Sequence, residues 1–263
     1  MIKSFENLIK NMRSRISKSL YSAVREEIRG DITITYSIVN AMIEMQKTFS
    51  KYKNANAGKD VVIIATGPSL DEFKPIENAV YIGMNKCVLY DKVKFDYIFM
   101  QDYGAVADYI EEITKDRFKD TRRFYGIMPQ GYYNEIFQRG AEIPESIAIR
   151  HNAERYYVPI GWSEEFQRVY PLDISSQIMA IGGSVVSAAF QFALYTNPKR
   201  IYLAGCDVSG GHFGGDKMPS SDQTDMVFWS DRKRFAEIWY PETEIISINP
   251  RGLKGMFKDM YQS

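Results

Sequence analysis

The sequence predicts an α/β protein with a doubly wound, mostly parallel sheet of Rossmann type. Two observations carry that prediction. Continuous apolar runs such as "DVVIIAT" (60–66) and "RIYLAGCD" (200–207) have the character of strands buried on both faces. These runs alternate with helical patterns along the chain, the rhythm of parallel strands joined by crossovers.

In chain order, "AVYIGMN" (79–85) and "FDYIFMQD" (95–102) read as further strands, each ending in polar residues. A helical pattern covers 104–118, and a strand is expected near 122–128. Residues 129–180, rich in aromatic, glycine and proline residues, yield no clear periodicity. "GGSVVSAAFQFALYT" (182–196) is apolar nearly all round, which predicts a buried helix. "EIISINP" (244–250) is expected as the last strand.

Ahead of this domain, residues 1–30 place Ile2, Phe5, Leu8, Ile9, Met12, Ile16 and Leu20 at helical spacing, with seven basic residues against three acidic. Such a helix either packs on its own chain or a second subunit, or lies on an anionic membrane surface. Asp31 is a candidate cap for a second helix running to about Tyr52. "NANAGKD" (54–60) reads as a linker, giving a helical extension over 1–58 and a main α/β domain over 59–263 with a lid near 208–232.

Bulk properties exclude several classes. The 263 residues carry 33 basic and 33 acidic side chains, so no excess charge points to nucleic acid. Cys87 and Cys206 lie in or beside apolar runs and read as buried reduced thiols, which fits the cytoplasm. No apolar run approaches the roughly 18 residues of a membrane span. There is no G-x-S-x-G elbow, no H-E-x-x-H and no clear D-x-D.

In open α/β sheets, ligands bind outside the carboxyl ends of the strands. This chain places Gly67-Pro68-Ser69, Asn85, Gln101-Asp102, Asp207 and Asn249 at such ends. "TGPSL" matches neither G-x-G-x-x-G nor the P-loop. It serves either as a strand-to-helix turn or as an anion cradle, with Gly67 admitting close approach and Ser69 and the following N–H groups facing the ligand. Gly182 and Gly183 open the buried helix and Ser184 caps it, from packing demands or to present N–H groups to a ligand.

Asp207 is suited to a ribose or acceptor hydroxyl, to a metal, or simply to a turn. His212, among four glycines on a flexible loop, is suited as a residue type to general base or acid work, or is a solvated bystander. His151 reads as a bystander in a polar stretch. Arg251 and Lys254 suit a diphosphate or carboxylate, or are solvated. Tyr132, Tyr133, Tyr156, Tyr157, Trp162, Phe228 and Trp229 either line a sugar or base pocket or belong to the core.

Taken together, strand-"GPSL", "GMNK", an apolar strand ending in an amide or acid, and "GGSVVSAAFQFALYTNPKRIYLAGCD" resemble the bacterial family 42 sialyltransferases over roughly 60–255. "GCDVSGGHFGGD" looks closer to the related motility-associated-factor and 6-hydroxymethylpterin pyrophosphokinase-like family. The first resemblance implies a GT-A-like fold and metal-independent transfer from a CMP-activated sugar, without a cofactor, to a glycan or glycolipid in lipopolysaccharide or capsule synthesis. It places Gly67, Pro68 and Ser69 at the phosphate and ribose, and Asn85 and Gln101 at the cytidine or donor sugar. Gly183 and Ser184 fall at the donor's carboxylate or base, and Asp207 at the ribose or cytosine. The sialyltransferase pattern has its histidine near "DQTDMVFW", where this chain has none. That leaves His212, Asp222 or Asp225 as base. The second resemblance implies ATP, with Asp102 and Asp207 holding Mg²⁺. A non-catalytic nucleotide-binding subunit of a polysaccharide assembly is the third alternative.

Overall fold

The computed structural model describes residues 39–128, 133–135, 138–159, 168–180, 184–208, 210–215 and 222–262. The chain divides into two units, Met1–Glu44 and Met45–Ser263. The predicted amphipathic helix over 1–30 and the Asp31 cap lie outside the described residues; of the first unit, residues 39–44 are helical.

The second unit is built on an eight-stranded sheet in which every neighbouring pair is parallel. Its strands are β1 (Asp60–Ile64), β2 (Val80–Met84), β3 (Tyr97–Met100), β4 (Arg122–Ile127), β7 (Glu154–Tyr157), β8 (Arg200–Ala204), β9 (Glu244–Ile248) and β10 (Lys258–Met260). A two-stranded hairpin, β5 (Tyr133–Asn134) and β6 (Arg139–Gly140), stands apart. The helices are α1 (Tyr103–Val106), α2 (Glu145–Arg150), α3 (Val185–Tyr195) and α4 (Asp222–Trp239).

The strand order is β10-β9-β8-β1-β2-β3-β4-β7. From β1 the chain lays strands outward on one side as far as β7, then crosses back to place β8 against the other side of β1. The order therefore reverses between β1 and β8, where Val61 pairs with both Val80 and Ile201. Such a reversal opens a crevice beyond the carboxyl ends of the two strands, because the connections leave them in opposite directions.

The continuous apolar runs follow from burial on both faces: Val61, Val62, Ile63 and Ile64 are all fully buried. Helix α3 covers one face of the sheet and is buried from Val186 to Tyr195. Phe192 lies 5.2 Å from both Phe99 and Phe124, and Phe49, from the 3-10 segment Lys47–Tyr52, sits 5.3 Å from Phe124. Rings at these separations contribute roughly 0.5–1.5 kcal/mol per pair beyond area burial.

The carboxyl end of α3 lies at the amino edge of the sheet, where Asn54 N donates to Tyr195 O at 3.2 Å shortly before β1. Its amino end therefore points to the carboxyl edge.

Two expectations need correction. The helix over 104–118 is three short pieces: α1 and two 3-10 turns, Ile110–Thr114 and Asp116–Phe118. The sheet also continues beyond 244–250 with β10, three residues whose mixed polarity carries no strand pattern. Among the described residues, no helix is long and apolar enough to cross a membrane.

Candidate functional site

At the end of β1 the chain turns through Thr66 and Gly67 into the 3-10 segment Pro68–Glu72. Pro68 fits the first position of this turn, where no N–H is needed. Gly67 N donates to Gly205 O at 2.8 Å, and a side chain at Gly67 would stand 2.5 Å from both Gly205 O and Asp207 Oδ2. Only glycine fits there. Gly205, with φ of +67°, makes the matching bend at the end of β8.

Asp207 is 3% exposed and holds the turn across the strand boundary. Ser69 N donates to its Oδ2 at 2.6 Å and Ser69 Oγ to its Oδ1 at 2.5 Å. The carboxylate thus takes the place of a capping side chain for the 3-10 segment. With Leu70 N donating to Gly67 O at 3.1 Å, the N–H groups expected to face an anion are engaged within the protein. The turn supplies a shaped backbone, and Ser69, 2% exposed, serves the turn.

His212 stands at the same strand end: its Nδ1 lies 2.7 Å from Thr66 Oγ1, and the adjacent Phe213 N donates to Thr66 O at 2.8 Å. The Phe213 ring lies 5.1 Å from Lys86 Nζ and 5.7 Å from the Tyr90 ring. Gly214 N donates to the Asp71 carboxylate at 3.2 Å. The Gly/His loop is therefore docked over the ends of β1 and β2.

On the other flank, Asn85, Gln101 and Asp102 form a second group. Asn85 takes a left-handed conformation (φ +41°), and its Oδ1 accepts from Gln101 N at 3.0 Å. Gln101, 7% exposed, donates from Nε2 to Tyr156 Oη at 2.6 Å. Asp102 is also left-handed (φ +63°), and its Oδ2 accepts from Asn134 Nδ2 in the hairpin, while Oδ1 is buried with no hydrogen-bond partner among the described residues. Desolvation raises the Asp102 pKa above its ordinary value, against the pull of the Asn134 amide. Two consecutive strand ends with non-glycine residues at positive φ mark the strained backbone typical of ligand sites.

Ser184 caps α3 by accepting from Val186 N at 3.3 Å, which sets the positive end of the helix dipole at the carboxyl edge. Gly182 and Gly183 lie outside the described residues, as do Tyr132 and Trp162 and the side chains of Tyr133, Asp222 and Asp225. Arg251 is exposed and pairs with Glu72 at 3.3 Å, while the next residue, Gly252, donates from N to Asp207 O at 2.9 Å. The structure thus gathers Gly67, Pro68, Ser69, Asp207 and His212 directly, joins Asn85 to Gln101, and brings the Arg251 segment alongside. Burial pushes the Cys87 thiol up to about 12, and Cys206 moves in the same direction for the same reason. Both thiols are free and buried.

No protein-family model and no curated protein sequence matches the chain. Among solved structures, the MAf glycosyltransferase from Magnetospirillum magneticum AMB-1 superposes with a TM-score of 0.51 and 16% identity, over 84% of this chain and 38% of that protein. The chain thus spans well under half the length of that relative. The monofunctional alpha-2,3-sialyltransferase Cst-I from Campylobacter jejuni aligns at 15% identity, over 72% of this chain and 75% of that one. Its TM-score of 0.44 marks looser agreement than a shared fold requires. At such an identity the likeness to the first is one of fold alone.

Sequence reasoning missed Gln191 and Arg232. Gln191 clamps the backbone ahead of the glycine pair, accepting from Ala180 N at 2.9 Å and donating to Ala180 O at 2.7 Å. Arg232, 1% exposed, lies 4.6 Å from the Trp229 ring centre, and its charge acts on the Cys206 thiol. A buried glutamine in an apolar helix was a visible signal. An arginine in a charged helix was not. Tyr156, Phe228 and Trp229 are core residues, and His151 is buried rather than solvated.

Proposed function

We propose that this chain is a glycosyltransferase that uses a nucleotide-activated sugar, first of all a CMP-sugar, in the synthesis of a cell-surface glycan. The observation that carries the reading is the convergence of the Asp207-locked turn and His212 at the topological switch between β1 and β8. The shared fold with a glycosyltransferase supports it.

In the reaction, an acceptor hydroxyl attacks the anomeric carbon as the bond to the nucleotide phosphate breaks, with inversion. His212, oriented through Nδ1 by Thr66, takes the hydroxyl proton on Nε2. The phosphate departs with the bonding electrons toward the amino end of α3, whose dipole stabilises the growing charge. Asn85 commits Oδ1 to Gln101, which leaves its Nδ2 to donate to the nucleotide or sugar. Asp207 positions Gly67–Ser69 so that the backbone can approach the donor.

Thermal-shift measurements with CMP, CDP, UDP, GDP and ATP, each with and without Mg²⁺, test this reading. Stabilisation by CMP in the absence of metal is expected, since a ligand bound only by the folded state raises the melting temperature. A response confined to ATP with Mg²⁺ overturns it in favour of phosphoryl transfer. Silence toward every nucleotide overturns it in favour of a non-catalytic subunit.

A further inference from the structure

The connection from β9 to β10 touches the crevice at Gly252 and then leads away from it along α4. Its Leu253 is buried, and its turns close through Lys254 N to Arg251 O at 3.2 Å and Met256 N to Leu253 O at 3.0 Å. Between this connection and α4 lie two adjoining cavities of about 390 and 360 Å³, which share Lys233, Glu237, Gly255 and Met256 as walls. Each is within the usual range for a ligand pocket, roughly 300–1,000 Å³. Met226 stands at one end of the groove, and Tyr240 and Phe257 at the other.

Lys233, Arg234, Lys254 and Lys258 line the groove together with Glu237, while Glu244 and Asp259 stand beside it, the Asp259 carboxylate accepting from Gly255 N at 3.1 Å. Lys233 pairs with Glu237 at 3.6 Å, and Lys258 with Glu244 at 2.5 Å. Arg234 and Lys254 are exposed and have no ion-pair partner among the described residues. The excess positive charge at this open groove therefore rests on Arg234 and Lys254.

We propose that the groove between α4 and the 250–257 connection binds an acidic oligosaccharide, the carboxylate- or phosphate-bearing part of the acceptor, while the reacting end enters the crevice. The proposal rests on the glycosyltransferase reading for the link between groove and reaction. Arg234 and Lys254 meet the acidic groups, and the ring and thioether faces of Tyr240, Phe257 and Met256 meet the apolar faces of the sugars. Two cavities in a row suit a chain of sugar units. A flat membrane surface would contact protruding side chains rather than enter a concave track.

The test is titration calorimetry of the full chain with tetragalacturonate, neutral maltotetraose and phosphatidylglycerol vesicles, repeated on R234E/K254E. Both substituted residues are exposed, and an unchanged melting temperature verifies that the variant folds. Expected are salt-sensitive binding of tetragalacturonate, binding at least ten-fold weaker in the double variant, and an unaltered CMP thermal shift. Equal binding of maltotetraose, wild-type affinity in the variant, or a preference for the vesicles overturns the proposal. A chain that binds tetragalacturonate as expected but ignores all nucleotides keeps the groove site and loses the transferase reading.

Discussion

Asp207 uses its carboxylate to hold a distant turn: each oxygen accepts from Ser69, 138 positions earlier in the chain. In the proposed reaction it is a positioning residue, and the base is His212, whose Nδ1 lies 2.7 Å from Thr66 Oγ1. Replacing His212 with alanine is expected to lower kcat by about 10²–10⁴, the usual worth of a general base, with nucleotide affinity nearly unchanged. Unchanged turnover in steady-state kinetics removes His212 from the mechanism. At this scale the sequence was partly legible. Gly67, Ser69 and Asp207 stand out as strand-end residues, but nothing in their spacing says that the serine and the aspartate bind each other. Such pairing depends on β8 lying beside β1, a contact across more than a hundred residues.

Among the elements, the junction of β4 with α2 shows how a histidine can be structural. His151 is buried, with Nδ1 2.7 Å from Tyr125 Oη and Nε2 3.2 Å from Glu111 Oε2, while Arg123 donates to its carbonyl oxygen at 2.6 Å and Arg150 also pairs with Glu111. Burial lowers its pKa from the ordinary 6.5, outweighing the pull of Glu111. The unfolded chain therefore binds the proton more readily than the folded one. Stability is fully present above about pH 6.5 and falls as the pH drops toward the depressed folded value. Urea denaturation from pH 8 to pH 5 should show this fall, and His151→Gln should flatten it; an identical slope in the variant contradicts the assignment. Elements with a strong pattern, β1, β8 and α3, were readable because burial on all sides demands continuous apolar sequence. β7 and β10 were not, since a sheet-edge strand needs apolar residues on fewer positions, and here each opens on two consecutive charged residues, Glu154–Arg155 and Lys258–Asp259.

For the whole molecule, the decisive feature is the strand order. Parallel strands and crossovers follow from the sequence rhythm, but the return of β8 to the inner side of the sheet, against β1, does not. That return brings together strand ends separated by about 140 residues, the arrangement that opens a crevice in such sheets. The central claim is that this crevice holds the sugar-phosphate end of a nucleotide. A crystal structure of the chain soaked with CMP tests it most directly. The account predicts nucleotide density beyond the carboxyl ends of β1 and β8, against Gly67–Ser69 and within hydrogen-bond reach of Asn85. Nucleotide bound at the amino edge of the sheet, or a saturated soak with this crevice empty, would contradict it.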